Sequence, residues 1–321
     1  VRWELAVRSG RVKSTSITAD EQTRLSWARA ARSYDDVPEI YKSFFDSLPL
    51  DKRDPFPYTI ITPKFKGFIR PESEKLICNP GDAVYVLEKV GNKLTSICYP
   101  LNDIYYIEVG AILLYSWVTI TGVDINGALS SSTLKFNLVT DYLITPIVES
   151  IRCSTTAGTQ ANLDAETAHF DSLIHSNFKF MNYARRSVRP GEKVIQTILQ
   201  PELRLEVFKL FSMPFSRLIT TAHLTILTDS ELIIIREDEK QGWLKGTRYG
   251  GIWYYIPLGK ITAVSLTGKD HDLLVLSILL AENQNFDSLF QASKKSELEL
   301  LLKQLESQAH ETVTTGAIYP G

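Results

Sequence analysis

The residues best suited to metal binding or nucleophilic chemistry are five histidines (His169, His175, His223, His271, His310) and three cysteines (Cys78, Cys98, Cys153). Only Cys153, His169 and His175 fall near one another. Their spacing fits no common zinc pattern, in which closely spaced pairs of ligands share one tetrahedral ion. His169 and His175 read as helix-surface residues and Cys153 as a buried thiol. His223 opens an apolar run and reads as a structural histidine. Cys98 lies beside Tyr99 with no basic neighbour to lower its pKa, so it reads as a core thiol rather than a nucleophile. No Gly-x-Ser-x-Gly elbow occurs. Gly242 and Gly246 bracket Trp243, Leu244 and Lys245 without the Gly-Lys-Ser/Thr that a phosphate-cradling loop requires. The expectation is therefore no catalytic residue, no metal, no cofactor and no enzyme. An active site assembled between domains would leave no such spacing signature and stays open as an alternative.

Two surfaces carry residue types suited to recognition. The first is the stretch 237–251, with Lys240, Trp243, Leu244, Lys245, Arg248 and Tyr249. Trp, Tyr and Arg dominate interface energetics, and aromatic residues settle at membrane interfaces, so an exposed loop of this kind can anchor a partner or rest on a lipid surface. The competing reading folds the loop back, with Trp243 and Tyr249 covering the end of a sheet. From Arg236 to Arg248 there are four basic and three acidic residues, too even a balance for strong attraction to anionic lipid. The second surface is the segment 1–34, with seven basic and three acidic residues. No aromatic or glycine-rich pattern accompanies that charge, so a solvated helix face is the reading and nucleic acid is not an expected partner.

The whole chain bounds what can position these residues. Its 321 residues suit two domains. Hydrophobic and charged shares of 44% and 22% are those of ordinary globular proteins, and a net charge of −2 does not suit a polyanion binder. Three cysteines make no disulfide framework, which points to a reducing compartment, the cytoplasm. The N-terminus, charged at Arg2, Glu4 and Arg8, does not read as a signal peptide. The longest apolar stretches, Ala111 to Ile120 and Leu273 to Ala281, fall well short of the roughly 20 residues of a membrane helix and read as buried strands.

Along residues 1–57 the pattern is helical. Thr18 with Glu21 and Asp36 with Glu39 have capping-box spacing. Leu25, Ala28 and Ala31 lie within one turn of one another, and Ile40, Tyr41, Phe44, Phe45 and Leu48 form an apolar stripe. From Tyr58 the chain becomes short runs of Val, Ile, Tyr and Phe separated by turns, the grammar of an all-β unit. Thr145 with Pro146 starts a helix carrying Ile147 and Ile151. A connecting helix with Phe170, Leu173, Ile174, Phe178 and Met181 leads to the break at Arg189-Pro190-Gly191. The β grammar then repeats, and Ser296 with Glu299 opens a last helix with Leu298, Leu301, Leu302 and Leu305 at i, i+3, i+4 and i+7.

The two halves are similar to each other. Pro100, Leu101, Ile104, Ile107 and Val109 match Pro257, Leu258, Ile261, Val264 and Leu266 at an offset of 157. Leu76, Val84, Val86 and Leu87 match Leu224, Leu232, Ile234 and Ile235 at 148. The difference of nine falls between the two blocks, at the turn 90–93 and the longer loop 237–251. The second half resembles a bacterial pleckstrin-homology-like (PH-like) domain in Leu224-Thr-Ile-Leu-Thr-Asp229, Glu231-Leu-Ile-Ile234, Ile256-Pro-Leu258 with Ile261, and the helix after Ser296. The first half resembles it more weakly. The resemblance implies a mainly β, α+β chain of two antiparallel PH-like barrels, each capped by a C-terminal helix. The expected parts are an N-terminal helical segment (1–57), barrel 1 (58–153), a connecting loop and helix (154–190), barrel 2 (191–310) and a flexible tail (311–321). It further implies a non-enzymatic interaction or scaffold protein that binds a protein partner or itself, with weak membrane-surface contact through residues 237–251 as the alternative. Relatives that bind inositol phosphates do so through basic residues of the first hairpin. Here Arg70 and Lys75 are separated by Glu72 and Glu74, and Gln200 to Arg217 holds no basic cluster, so that ligand is not expected.

Overall fold

A computed structural model of the chain describes residues 25–48, 56, 58–64, 73–91, 93–152, 163–210, 213–238, 249–270 and 272–315. It is mainly β, with several antiparallel sheets and a few helices, and no sheet closes into a barrel.

The first half opens with β1 (Arg29–Ala31), a 3₁₀ turn at Tyr34–Asp36 and α1 (Glu39–Ser47). The helix expected around Leu25 to Ala31 is thus a turn and a strand, paired with β2 (Thr59–Thr62). Asp36 does not cap α1, because its carboxylate accepts the N–H groups of Arg32 (2.9 Å) and Ser33 (3.2 Å) and so holds the preceding turn. Strands β3 (Lys75–Cys78), β4 (Ala83–Val90) and β5 (Lys93–Pro100) complete a five-stranded sheet in sequence order. A 3₁₀ turn, Leu101–Asp103, leads to β6 (Ile104–Ile112), β7 (Tyr115–Val123) and β8 (Leu129–Asn137). Another 3₁₀ turn, Leu138–Thr140, feeds α2 (Asp141–Arg152), so Pro146 lies inside the helix rather than at its start.

The expected connecting helix is broken into α3 (Leu163–Ala168), a 3₁₀ stretch at His169–Leu173 and α4 (Phe178–Arg185). The break follows from Asn177, whose side chain accepts the Phe180 N–H at 3.2 Å and caps α4. The second half runs β9 (Val194–Gln200), a hairpin of β10 (Leu203–Leu210) and β11 (Met213–Thr220), β12 (His223–Thr228), β13 (Glu231–Arg236) and β14 (Gly251–Pro257). After a 3₁₀ turn at Leu258–Lys260 come β15 (Ile261–Lys269), β16 (Leu273–Leu280), β17 (Asn285–Gln291), a 3₁₀ turn at Ala292–Lys294 and α5 (Lys295–Thr315). Ser296 therefore stands within α5 rather than capping it.

The pairing registers of the halves coincide. Leu76 opposes Leu87 in β3–β4, and Leu224 opposes Ile235 in β12–β13. Ala83 opposes Pro100, and Glu231 opposes Pro257. The Leu101 N–H bonds the Asp82 carbonyl and the Leu258 N–H bonds the Ser230 carbonyl, both at 3.0 Å. A register shift falls at Ile104/Tyr106 in one half and at Ile261/Ala263 in the other. The closing helices bury Ile144, Ile147, Val148 and Ile151 in α2, and Leu298, Leu301 and Leu305 in α5.

The halves are not separate units, because β6 of the first pairs antiparallel with β14 of the second. One seven-stranded sheet, β8-β7-β6-β14-β13-β12-β9, therefore runs through both. Strands β12 and β13 are buried on both faces, which is why β13 carries the continuous apolar run Leu232 to Ile235 instead of alternating. Leu232 and Ile234 face one core with Ile256, Leu276, Phe290 and Leu298. Ile226, Ile233 and Ile235 face another, shared with Phe180 and Met181 of α4 and with α2 of the first half. In the first half the corresponding outer face, Leu76, Cys78 and Leu87, is covered by Tyr41 and Phe45 of α1.

Candidate interaction surfaces

Of the residues expected to form an interaction loop, Tyr249 alone is described; Lys240, Trp243, Leu244, Lys245 and Arg248 lie outside the described residues. Tyr249 is 59% exposed. The next residue, Gly250, has φ of +88°, and a Cβ there would meet the Ala111 carbonyl oxygen at 1.9 Å. Only glycine lets the backbone approach so closely in that conformation. Gly251 then pairs with Ala111, which places the C-terminal base of the loop at the end of β6.

That end of β6 carries the main exposed apolar surface the sequence did not disclose. The stretch Ala111 to Ile120, expected to be one buried strand, contains a hairpin turn at Leu113 and Leu114. Leu113 takes φ of +55°, which leucine rarely adopts, and the two leucines are 64% and 57% exposed. The Leu114 carbonyl accepts the Leu138 N–H at 2.9 Å. Beside it, the Asn137 N–H bonds the Ser26 carbonyl at 3.0 Å and the Ala28 N–H bonds Thr140 Oγ1 at 3.1 Å. Leu25, Trp27, Val139 and Tyr142, all exposed, lie on or beside the segments that these bonds join. The corresponding turn of the second half, between Lys269 and Leu273, is Asp270-His271-Asp272.

The main cluster of ionisable groups is buried at the junction of the halves. Arg152, at the end of α2, donates from Nε to Glu231 at 3.2 Å and from Nη2 to the same carboxylate, and also from Nη2 to the Ser187 carbonyl at 2.6 Å. Its guanidinium lies 3.9 Å from the centre of the Tyr255 ring. Arg189 donates to Glu192 at 2.6 Å, and Ser230 donates to the same oxygen at 2.5 Å. Burial by itself disfavours the charged form of Arg152, but the Glu231 carboxylate outweighs that and holds its pKa above the ordinary value. Burial also works against the Glu192 carboxylate, yet the bonds from Arg189 and Ser230 leave its pKa lowered. Arg152 Nη1 also donates to Glu149 at 3.0 Å, and the cluster acts as a clasp between α2, the connection after α4 and β13. Arg152 and Glu231 stand 79 residues apart, and no spacing signal could have joined them.

The remaining candidates have structural settings. His223 is buried, with Nδ1 3.1 Å from the Thr221 carbonyl and its ring edge-on to Phe290. Burial pushes the Cys78 thiol up to about 12, which keeps it protonated and unreactive. His169 and His175 are exposed, and Cys153 lies outside the described residues. Among the described residues no group of three or more His, Cys, Asp or Glu side chains is placed to hold a metal, and no helix is long and apolar enough to cross a membrane. The sequence matches no protein-family model and no curated protein.

Proposed function

We propose that this chain is a non-enzymatic interaction protein, a scaffold of two tandem PH-like halves that docks a protein partner on the end formed by Leu113 and Leu114. The carrying observation is the apolar hairpin tip itself. Two exposed leucines, one with a backbone angle leucine disfavours, are more costly than a polar turn. The matching connection of the second half carries Asp270 and Asp272 instead. The PH-like reading is supported by the order of strands, 3₁₀ turns and closing helix in both halves, and by their common registers. Cytoplasmic residence is our reading of Cys78 and Cys98, buried thiols that form no disulfide. The clasp and the shared sheet fix the halves relative to each other, which suits a scaffold.

The test is affinity capture with quantitative mass spectrometry, comparing the parent with Leu113→Asp plus Leu114→Asp. Both side chains are exposed, so the variant keeps its fold, as circular dichroism will verify. A protein retained by the parent and lost from the variant is the expected result; identical captured sets would retire the reading. The alternative is membrane-surface binding through residues 237–251. It is favoured by the pairing of Gly251 with Ala111, which sets the loop's base at the end of β6 that leads into the exposed tip. Sedimentation of both proteins with anionic vesicles, alongside Trp243→Ala plus Lys245→Ala, decides between the two readings.

A further inference from the structure

Strand β6 has two partners, β7 on one side and β14 on the other. Its counterpart β15 has one. Strand β16 pairs along it, and its opposite edge carries no backbone partner among the described residues. The free groups can be read from β6. A Cβ on Gly250 would strike the Ala111 carbonyl oxygen, so that carbonyl faces β14. Peptide groups alternate sides along a strand, so Val109 and Ile107 face β14 too. The offset of 157 converts these to Gly268, Leu266 and Val264, whose N–H and C=O groups point out of the open edge.

The side chains agree. Ile104 and Ile107 are buried, whereas their counterparts Ile261 and Val264, though packed on the second core, are only half-buried. The second core is thus less covered at β15, which α5 approaches, than the first is at β6, where β14 pairs. Strand β15 also lacks the usual protection of an edge: it has nine residues, no proline, no register shift beyond Ala263 and a single charge, Lys269, at its end.

We propose that β15 pairs antiparallel with β15 of a second copy of this chain, about a two-fold axis at Leu266. The pairs are Val264 with Gly268, Leu266 with Leu266 and Gly268 with Val264, as many outward-facing pairs as join β14 to β6. Two three-stranded sheets become one of six. Ser265 lies opposite Thr267 of the second copy and Lys269 opposite its Ala263, so no like charges meet. Head-to-tail growth is disfavoured, because it would use β5, the counterpart of β14. The Cys98 carbonyl on that edge already accepts the Ile125 N–H at 2.9 Å. The proposal deepens the interaction reading by naming a second copy as a partner. It is separable from the Leu113–Leu114 surface, which its variants leave untouched.

Size-exclusion chromatography with light scattering on the full chain is the test. The parent is expected at twice the chain mass. Ser265→Lys with Thr267→Lys sets lysines against each other across the axis and is expected to halve that mass. Ser265→Lys with Thr267→Glu sets Lys opposite Glu and is expected to restore it. Leu266→Pro removes an outward N–H and leaves the ladder to β16 intact, so it should give a folded monomer. A parent that stays monomeric at its highest attainable concentration would overturn the proposal. So would a double-lysine variant that stays dimeric, or an open-ended assembly dissolved by Leu94→Pro in β5.

Discussion

Acid should unfold this protein partly through one histidine. His223 Nδ1 lies 3.1 Å from the Thr221 carbonyl, and Nε2 is buried without a hydrogen-bond partner. Protonation would place a cation at Nε2 with nothing to accept its proton. Burial therefore lowers the pKa from 6.5 to about 4, with nearby Arg236 adding to the effect and the bond to Thr221 opposing it. In the unfolded chain the same ring takes a proton below its ordinary pKa of about 6.5. Between those two values the unfolded state binds one more proton than the folded state, so stability falls as pH falls. Each pH unit is worth at most about 1.4 kcal/mol, and the window spans about 2.5 units, giving roughly 3 kcal/mol. Above the unfolded pKa the effect vanishes. Urea unfolding from about pH 7 to about pH 4, on the parent and on His223→Asn, isolates it. The asparagine keeps a donor near Thr221 and does not titrate, and subtracting the two curves cancels every other group. The difference should move by roughly 3 kcal/mol in favour of the variant as pH falls. A flat difference across the window would refute the account of His223.

Two further perturbations probe the clasp and the tip. Arg152→Met leaves the buried Glu231 with only Arg189, 4.0 Å away, and should cost about 3 kcal/mol in urea unfolding, while Arg152→Met with Glu231→Leu should recover most of it. An undiminished loss in the double variant would mean that the clasp does more than neutralise charge. Leu113→Asn relieves the positive φ with a residue that tolerates it and should stabilise the chain by about 0.5–1 kcal/mol. A destabilised variant would show that Leu113 packs against the molecule rather than facing a partner.

Much of the architecture was legible because strand pairing within each half is local. The offsets of 148 and 157, read from Leu76 and Pro100 onward, are the offsets that the registers of β3–β4 and β4–β5 obey against β12–β13 and β13–β14. The apolar stripe of α5 was visible because leucines at i, i+3, i+4 and i+7 are a property of one short segment. What could not be read was pairing between halves. The run Ile104 to Ile112 states that it is a strand, but the identity of its outer neighbour depends on which edge arrives there, and alternation does not encode that. The hairpin at Leu113 was hidden for a related reason. Turns are recognised by Gly, Asn, Asp or Pro, and this one is built from leucine. Arg152 and Glu231 meet across 79 residues of sequence, a separation that no local pattern marks.

The departures from the repeat are the informative residues. Where the halves agree, in registers, register shifts and closing helices, the agreement is accounted for by the demands of a common core. Where they differ, the core cannot be the reason, because the other half folds without the feature. Asp270 and Asp272 serve at the equivalent connection of the second half, so the first did not require Leu113 and Leu114. Ala83 stands where Glu231 stands in the other half, so the charge at Glu231 answers to the junction rather than to the strand. Strand β6 gains β14 while β15, with the same shift at the same place, ends at an open edge. Three asymmetries thus stand apart from the repeat: a clasp at the junction of the halves, an exposed apolar tip, which we propose meets a partner, and an open edge, which we propose pairs with another copy.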